Sequence, residues 1–327
     1  MNDPLIHTGG RPVDPATGAV QSLAVRVGVF NIERFGWDKT KGHHRLPAAL
    51  DWLLEQTPVP PDVLALPEAR RGLDDGQHAI RSLTHHLSAH LDGGRYEPLF
   101  ASRNLPGRRN HLHLLLVNTT TVMPLAWHDP AAADAAYRDS GFAVCEIAGH
   151  QVHLCCEHWS GGEGRETFER AAQRVSTLGG PRRKTLLLGD FNADSGWDRE
   201  LHHSLDWHAQ CEAQGNLHKL EQKGWLNPAS GRWEIDTRQL DKLRTLYGYR
   251  DMGEEAGDPT PTTHPETGSA LRIDRIFRST GLPAHVTSYH VRQPPRELSD
   301  HAYVFGTYRL SLGAPGAGLG AAARSPR

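Results

Sequence analysis

Short apolar runs that each meet an Asn, Asp, Glu or His recur along most of this 327-residue chain, and they constrain its fold most tightly. Six such places occur in order. They are FNIERFG at Phe30–Gly36, DVLALPE at Asp62–Glu68, EHWSGG at Glu157–Gly162, GDFNAD at Gly189–Asp194, RIDRIF at Arg272–Phe277 and SDH at Ser299–His301. A strand that is apolar along its length and polar at one end buries its middle and presents its tip. Several of them side by side gather distant side chains into one polar pocket. An oxygen-rich set of this kind suits a hard divalent cation and a phosphate.

Strands are expected at Leu23–Phe30, Val63–Leu66, Leu112–Val117, Phe142–Ile147, Val152–Cys156, Thr185–Leu188, Leu271–Phe277, Val286–Val291 and Ala302–Tyr308. Three helical stripes lie between them: Leu46, Ala49, Leu50, Leu53 and Leu54; Ile80, Leu83, Leu87 and Leu91; and Phe168, Ala171, Ala172, Val175 and Leu178. Strands mixed with helices in this way predict two packed sheets covered by helices. Residues 1–22 and 312–327 are expected to be a flexible leader and tail around one domain at 23–311. Within it, residues from about 197 to 258 have weak periodicity, with one helix near Thr237–Leu246, and are expected to be an elaborated insertion.

Hydrophobic content of 38% supports a sizeable core, while a formal charge of -2 provides no global basic field for a polyanion. Nucleic acid would have to be held by a local patch. No apolar run approaches the roughly 18 residues that cross a bilayer, and the N-terminus does not resemble a secretory signal, so a cytoplasmic location is expected. Four cysteines are too few for a disulfide framework. Adjacent Cys155 and Cys156 should face opposite sides of one strand as buried thiols.

The motif residues each carry plausible chemistry. Asp190 and Asn192 are two apart at a strand end and project to the same side if the backbone stays extended. One can take a proton from water while the other donates to a phosphoryl oxygen. Asp300 can ligate a cation, and His301 can approach a phosphate. Asp274, between Ile273 and Ile276, needs a partner for its charge, and His301 is the obvious one. Glu68 at the end of its run is a natural Mg²⁺ ligand, with the Asn31 amide oxygen in support. His158 can act as a general acid or cap a turn.

Taken together, GDFNA, IDRIF and SDH in this order resemble the endonuclease/exonuclease/phosphatase superfamily, the deoxyribonuclease-I-like phosphoesterases, over about Val25–Tyr308. The opening FNIERFG looks like the start of deoxyribonuclease I. The resemblance implies an α+β fold, a four-layer α/β/β/α sandwich of two packed mixed β-sheets flanked by helices, with the motifs at one end. It also implies Mg²⁺ or Mn²⁺ dependence and phosphoester hydrolysis. On this chain it makes Glu68 the principal metal ligand, supported by Asn31 and Asp300. Asp190 would activate water, Asn192 hold the phosphate, and His301 paired with Asp274 contact the scissile group. His158 matches a histidine that many members carry, which disfavours the apurinic-site branch. The carboxylate partner of that histidine would align near Asn110 or His111, where none stands, so a neutral His158 is expected.

Substrate is less constrained. Arg34 beside the first motif and Arg103, Arg108 and Arg109 in SRNLPGRRN can grip a nucleic-acid backbone. Arg70 and Arg71 follow Glu68, whereas Arg182, Arg183 and Lys184 should lie at the opposite end. Trp197, Trp207, Trp225 and Trp233 are assigned to core rather than base stacking, and His202, His203 and His208 lack zinc-ligand spacing. The leading expectation is a Mg²⁺-dependent nuclease acting on DNA. The alternatives are a phosphatase or a phospholipid or small-molecule phosphodiesterase of the same superfamily, and, more remotely, an inactive binding module.

Overall fold

A computed structural model describes residues 21–38, 43–57, 59–69, 77–100, 113–128, 141–159, 165–198, 206–265 and 271–313. The first half supplies β1 (Ser22–Phe30), the short pair β2 (Trp37–Asp38) and β3 (His43–His44), α1 (Leu46–Gln56), β4 (Val63–Leu66), α2 (His78–Ser88), β5 (Tyr96–Leu99) and β6 (Leu114–Asn118). Next come β7 (Val122–His128), β8 (Phe142–Ile147), β9 (His150–His158), α3 (Arg165–Ser176) and β10 (Thr185–Asp190). The following segment contributes α4 (Trp207–Ala213), α5 (His218–Lys223), β11 (Gly224–Asn227), β12 (Arg232–Ile235) and α6 (Arg238–Thr245). The chain closes with β13 (Tyr249–Asp251), α7 (Met252–Ala256), β14 (Asp274–Ser279), β15 (Ala284–Arg292) and β16 (Tyr303–Ser311).

Two six-stranded mixed sheets result, in the orders β15-β16-β1-β4-β6-β5 and β13-β14-β10-β9-β8-β7. They face each other across an apolar layer that includes Val25, Val27, Val29, Leu115, Leu186, Leu188, Ile276 and Val304. The alternation of β1 explains this: Val25, Val27 and Val29 share one face because strand side chains alternate with a period of two. Helices α1 and α2 cover the outer face of the first sheet through Leu50, Leu53, Ile80 and Leu83. Helices α3 and α6 cover the second through Phe168, Val175, Leu240 and Leu243. Cys156 lies between the sheets and Cys155 beneath α3, and both are free thiols. No described helix is long and apolar enough to cross a membrane.

Topology then fixes where strand tips fall. β1 is parallel to β4, and β9 is parallel to β10, so the chain leaves all four at one end of the sandwich. β14 and β16 are antiparallel to β10 and β1 and therefore begin at that same end. Asp190 pairs with both His158 and Asp274 in register. The strand expected from Leu271 starts at Asp274 instead, because Leu271 and Ile273 turn away to bond Thr263 and Thr262. The run Arg182–Lys184 precedes β10 and lies at the far end, where Lys184 Nζ sits 3.0 Å from His150 Nδ1.

Buried charge anchors both ends of the segment that carries α4 to α6 to β14. Arg272 and Arg275 donate to Asp198 at 2.8 and 2.6 Å, and both also reach Asp251, at distances from 2.8 to 3.0 Å. All four residues are buried. Asp251 also caps α7, accepting from the Gly253 N–H at 2.8 Å. Burial alone would push Asp198 and Asp251 up, but the two guanidiniums outweigh it and hold both below the usual carboxylate range. Because these values are depressed, the stabilisation is complete above the ordinary aspartate value of about 3.9 and is lost as pH falls through the folded values. Replacing Asp251 by Ala leaves two buried guanidiniums to share Asp198, and equilibrium urea unfolding should show a loss of about 3–5 kcal/mol at pH 7. The acid limb of the stability curve should flatten in the same variant.

Candidate active site

Six strand ends and their adjoining loops meet around Asp190. Asn31 follows β1, Glu68 lies two residues beyond β4, and His158 and Asp190 end β9 and β10. Asp274 opens β14, and His301 immediately precedes the strand that starts at Tyr303. Local backbone shape aims these groups. Gly189 has φ +151°, and a Cβ there would lie 1.9 Å from the Glu157 carbonyl oxygen, so the glycine of GDFN lets β9 and β10 close up beside the site. Glu68 itself has φ +56°, in the left-handed region that non-glycine residues rarely adopt.

The carboxylate of Asp190 is almost fully buried and receives several polar neighbours. The Asn31 amide donates to its Oδ2 at 3.1 Å and the Asn192 amide at 3.2 Å. Nε2 of His158 is 3.6 Å and Nε2 of His301 3.9 Å from that same oxygen. Asn192 does not continue the strand, as an extended backbone would require. It adopts φ +49°, and its N–H bonds back to Asp190 Oδ1 at 2.8 Å. The two side chains still meet, through a tight Asx turn rather than strand alternation.

His301 Nδ1 is 2.8 Å from Asp274 Oδ2, as the burial of Asp274 between isoleucines predicts. Burial works against an imidazolium here, yet Asp274, Asp190 and Asp300 outweigh it and push His301 up to about 10. Burial meanwhile pushes the Asp274 carboxyl up to about 6, so the charged pair exists between that value and about 10, where the His301 ring loses its proton.

His158 is not isolated from carboxylates, which corrects the expectation drawn from Asn110 and His111, residues outside those described. Its Nε2 is 3.1 Å from Glu68 Oε1. That carboxylate comes from β4 across the sandwich rather than from a neighbouring strand of the same sheet. The same nitrogen is 3.2 Å from Asn192 Nδ2. With a proton it donates to Glu68, and without one it accepts from Asn192.

Three residues with no assigned role complete the geometry. Ser299 is buried, donates to the Asn31 carbonyl at 2.6 Å and accepts from the His301 N–H at 3.0 Å, tying the first motif to the last. Thr262 Oγ1 accepts from the N–H groups of Ile273 and Asp274, both at 2.9 Å, and so anchors the start of β14. Lys223, at the end of α5, donates to Asn192 Oδ1 at 3.0 Å. Its ordinary value is pushed down by burial against the pull of Asp190 and Asp194. No motif marked it, since it lies in the weakly periodic segment. The serine of SDH was visible but gave no hint of its two partners.

Oxygens available to a cation are present. Asn31 Oδ1 and Asp300 Oδ1 are buried acceptors with no hydrogen-bond donor among the described residues. Glu68, His158 and Asp190 present ligand-type atoms all within 4.8 Å of one another. Such a donor set, mostly oxygen with one imidazole, fits a hard divalent ion. Of the expected phosphate-gripping arginines, Arg103, Arg108 and Arg109 lie outside the described residues, as do the neighbouring Arg70 and Arg71. Arg34 sits on a short 3-10 turn, Glu33–Gly36, which begins two residues after Asn31. His202 and His203 are also outside, whereas His208 pairs with Glu212 at 3.3 Å on α4. Trp207 is core; Trp197 and Trp225 lie under the guanidiniums of Arg272 and Arg238.

A sequence profile of the Endonuclease/Exonuclease/phosphatase family matches residues 28–301. The chain belongs to this family. Its members are phosphoester-bond hydrolases, generally dependent on a divalent metal, and the two-sheet sandwich is the family fold. No protein of curated function matches the sequence. Among solved structures, an AP endonuclease from Archaeoglobus fulgidus aligns with a TM-score of 0.55 and 15% identity over 86% of this chain and 98% of its own. D. rerio TDP2 complexed with single-strand DNA product gives 0.54 and 15% over 87% and 98%. The 3′ phosphatase NExo from Neisseria, bound to a product DNA hairpin, gives 0.54 and 18% over 86% and 98%. At these identities the likeness establishes the fold.

Replacing Asp274 by Asn should return the His301 ring toward the ordinary range of about 6.5, read by NMR titration of its ring nitrogens. The stability lost in that variant should be largest between about pH 6 and about pH 10, where Asp274 is charged and His301 keeps its proton, and should shrink below that window, where the wild-type carboxyl is as neutral as the amide.

Proposed function

We propose that this enzyme is a divalent-metal-dependent nuclease that hydrolyses DNA phosphodiester bonds by in-line attack of water. The reading is carried by the placement of Asp190, whose Oδ2 has amide donors at 3.1 and 3.2 Å and the two imidazole nitrogens within 3.9 Å. A carboxylate so placed accepts the proton of an attacking water and stays oriented while doing so. Asn192 Nδ2 and the His301 imidazolium face the position of a phosphoryl oxygen, where negative charge grows in the transition state. His158, linked to Glu68, supplies a proton to the departing oxygen.

Glu68 holds the metal in this reading, with Asn31 and Asp300 each contributing a buried oxygen that lacks a hydrogen-bond donor among the described residues. A bound Mg²⁺ or Mn²⁺ supplies Lewis acidity that offsets the negative charge of the phosphate. DNA as substrate is supported by the FNIERFG opening and by the DNA present in two of the aligned structures. A second reading, a phosphatase acting on small or terminal phosphates, is favoured by the formal charge of -2, since duplex-binding surfaces are usually basic.

A panel of supercoiled plasmid, single-stranded DNA, RNA, phospholipid and small phosphate esters, each with Mg²⁺, Mn²⁺ or EDTA, separates the two. Plasmid nicking abolished by EDTA is expected. Asp190→Ala should lower turnover by roughly 10²- to 10⁴-fold. Equal rates in the two proteins would remove the assignment to this site, and release of phosphate from small esters without nicking would select the second reading.

A further inference from the structure

Lys223 is the one Lys or Arg among the described residues that lines the cavity beside Asn192 and Asp194. Its backbone is held on both sides. The Asp236 N–H donates to the Lys223 carbonyl at 2.9 Å, and Gly224 follows with no room for a side chain, since a Cβ there would lie 2.7 Å from the Leu220 carbonyl oxygen. One turn earlier, Leu220 packs with Trp207, Cys211, Leu271 and Ile273, the last two leading directly into Asp274. The lysine therefore takes its position from the same segment that carries the His301 partner.

An asparagine amide can be turned either way, and its chemistry depends on which way. Here both sides dictate one answer. A lysine ammonium only donates, so the group facing Lys223 at 3.0 Å must be the oxygen, Oδ1. A carboxylate only accepts, so the group facing Asp190 Oδ2 at 3.2 Å must be the nitrogen, Nδ2. Neither contact alone holds the amide as firmly, because Asn192 stands in a left-handed turn with no strand neighbour beyond it.

We propose that Lys223 is a positioning residue for Asn192, fixing its carboxamide so that Nδ2 is presented to the scissile phosphoryl group. This rests on the phosphoester-hydrolase reading of the site but not on the identity of the substrate. Lys223 does not touch the phosphate; it acts by orienting a donor whose strength depends on direction. Without it, only the contacts of Nδ2 with Asp190 and His158 favour this orientation, and the amide presents oxygen to the phosphate in a larger part of the population, which repels.

A double-mutant cycle with Lys223→Met, Asn192→Ala and the combined variant tests this on the full chain with Mg²⁺. Two readouts are taken: turnover of plasmid DNA, and calorimetric binding of inorganic phosphate. Lys223→Met should lower kcat roughly 10- to 100-fold, a share of the 10²- to 10³-fold that one transition-state donor contributes, with KM changed less than about threefold. It should weaken phosphate binding in the same direction. In the Asn192→Ala background the same substitution should change either quantity by less than about threefold. If Lys223→Met does not fold, Lys223→Gln enters the same cycle, and thermal melting checks each variant. Equal factors in both backgrounds, or wild-type kcat in a folded Lys223 variant, would overturn the proposal. Coupling seen in phosphate binding with no nicking by the wild type would sink the nuclease reading and leave this one standing.

Discussion

The register of β10 between β9 and β14 is the constraint from which the site follows. Asp190 pairs with His158 on one side and Asp274 on the other, so three polar groups share one rung of the second sheet. Strand side chains alternate, so a slip of one residue would turn Asp190 into the layer now filled by Leu187 and Phe191. The apolar run Leu186–Leu188 prevents that slip, because Leu186 and Leu188 fill the layer between the sheets and Leu187 the layer beneath α3. Packing of ordinary hydrophobic residues thus sets which face of the strand the carboxylate occupies. Gly189 completes the arrangement by letting the two parallel strands close where the chain leaves them.

The first sheet is coupled to this rung through polar contacts as well as through the shared core. Asn31 reaches Asp190 with its side chain, and its carbonyl receives Ser299, which in turn receives the backbone of His301. Behind Asp274, two buried arginines are neutralised by Asp198 and Asp251, and Trp197 covers one of them. A pair of guanidiniums inside a protein is costly alone, so the network holds only when all members are in place. It ties the residues leading into and out of the weakly periodic segment to the strand that carries Asp274. The alternation in RIDRIF now has two meanings: Ile276 faces the inter-sheet core, and Arg272 and Arg275 face the charged cluster.

Much of this was legible in the sequence because it depends on local pattern. Runs such as Val63–Leu66 and Thr185–Leu188 became strands with the expected polar tips, and the three apolar stripes became α1, α2 and α3. The pairing of Asp274 with His301 followed from the cost of a charge between isoleucines. What escaped was set by contacts across the sandwich. Glu68 reaches His158 from the opposite sheet, a juxtaposition that no strand-by-strand alignment reveals. Lys223 and Thr262 sit in segments whose local composition is unremarkable, and their roles exist only through neighbours 31 and 12 positions away in sequence. The Asx turn at Asn192 replaced an extended backbone because a side-chain acceptor two residues back competes with the ladder.

Glu68 stands where glycine would be more comfortable. A left-handed backbone at a residue with a Cβ raises the energy of the native state by about 1–2 kcal/mol, and a glycine in its place would relax that strain. The same exchange would delete a carboxylate that meets His158 in the middle of the cleft. Sturdiness and competence therefore pull in opposite directions at this one residue. Engineering for heat resistance that relieves backbone strain would gravitate toward the substitution that empties the cleft of its acid.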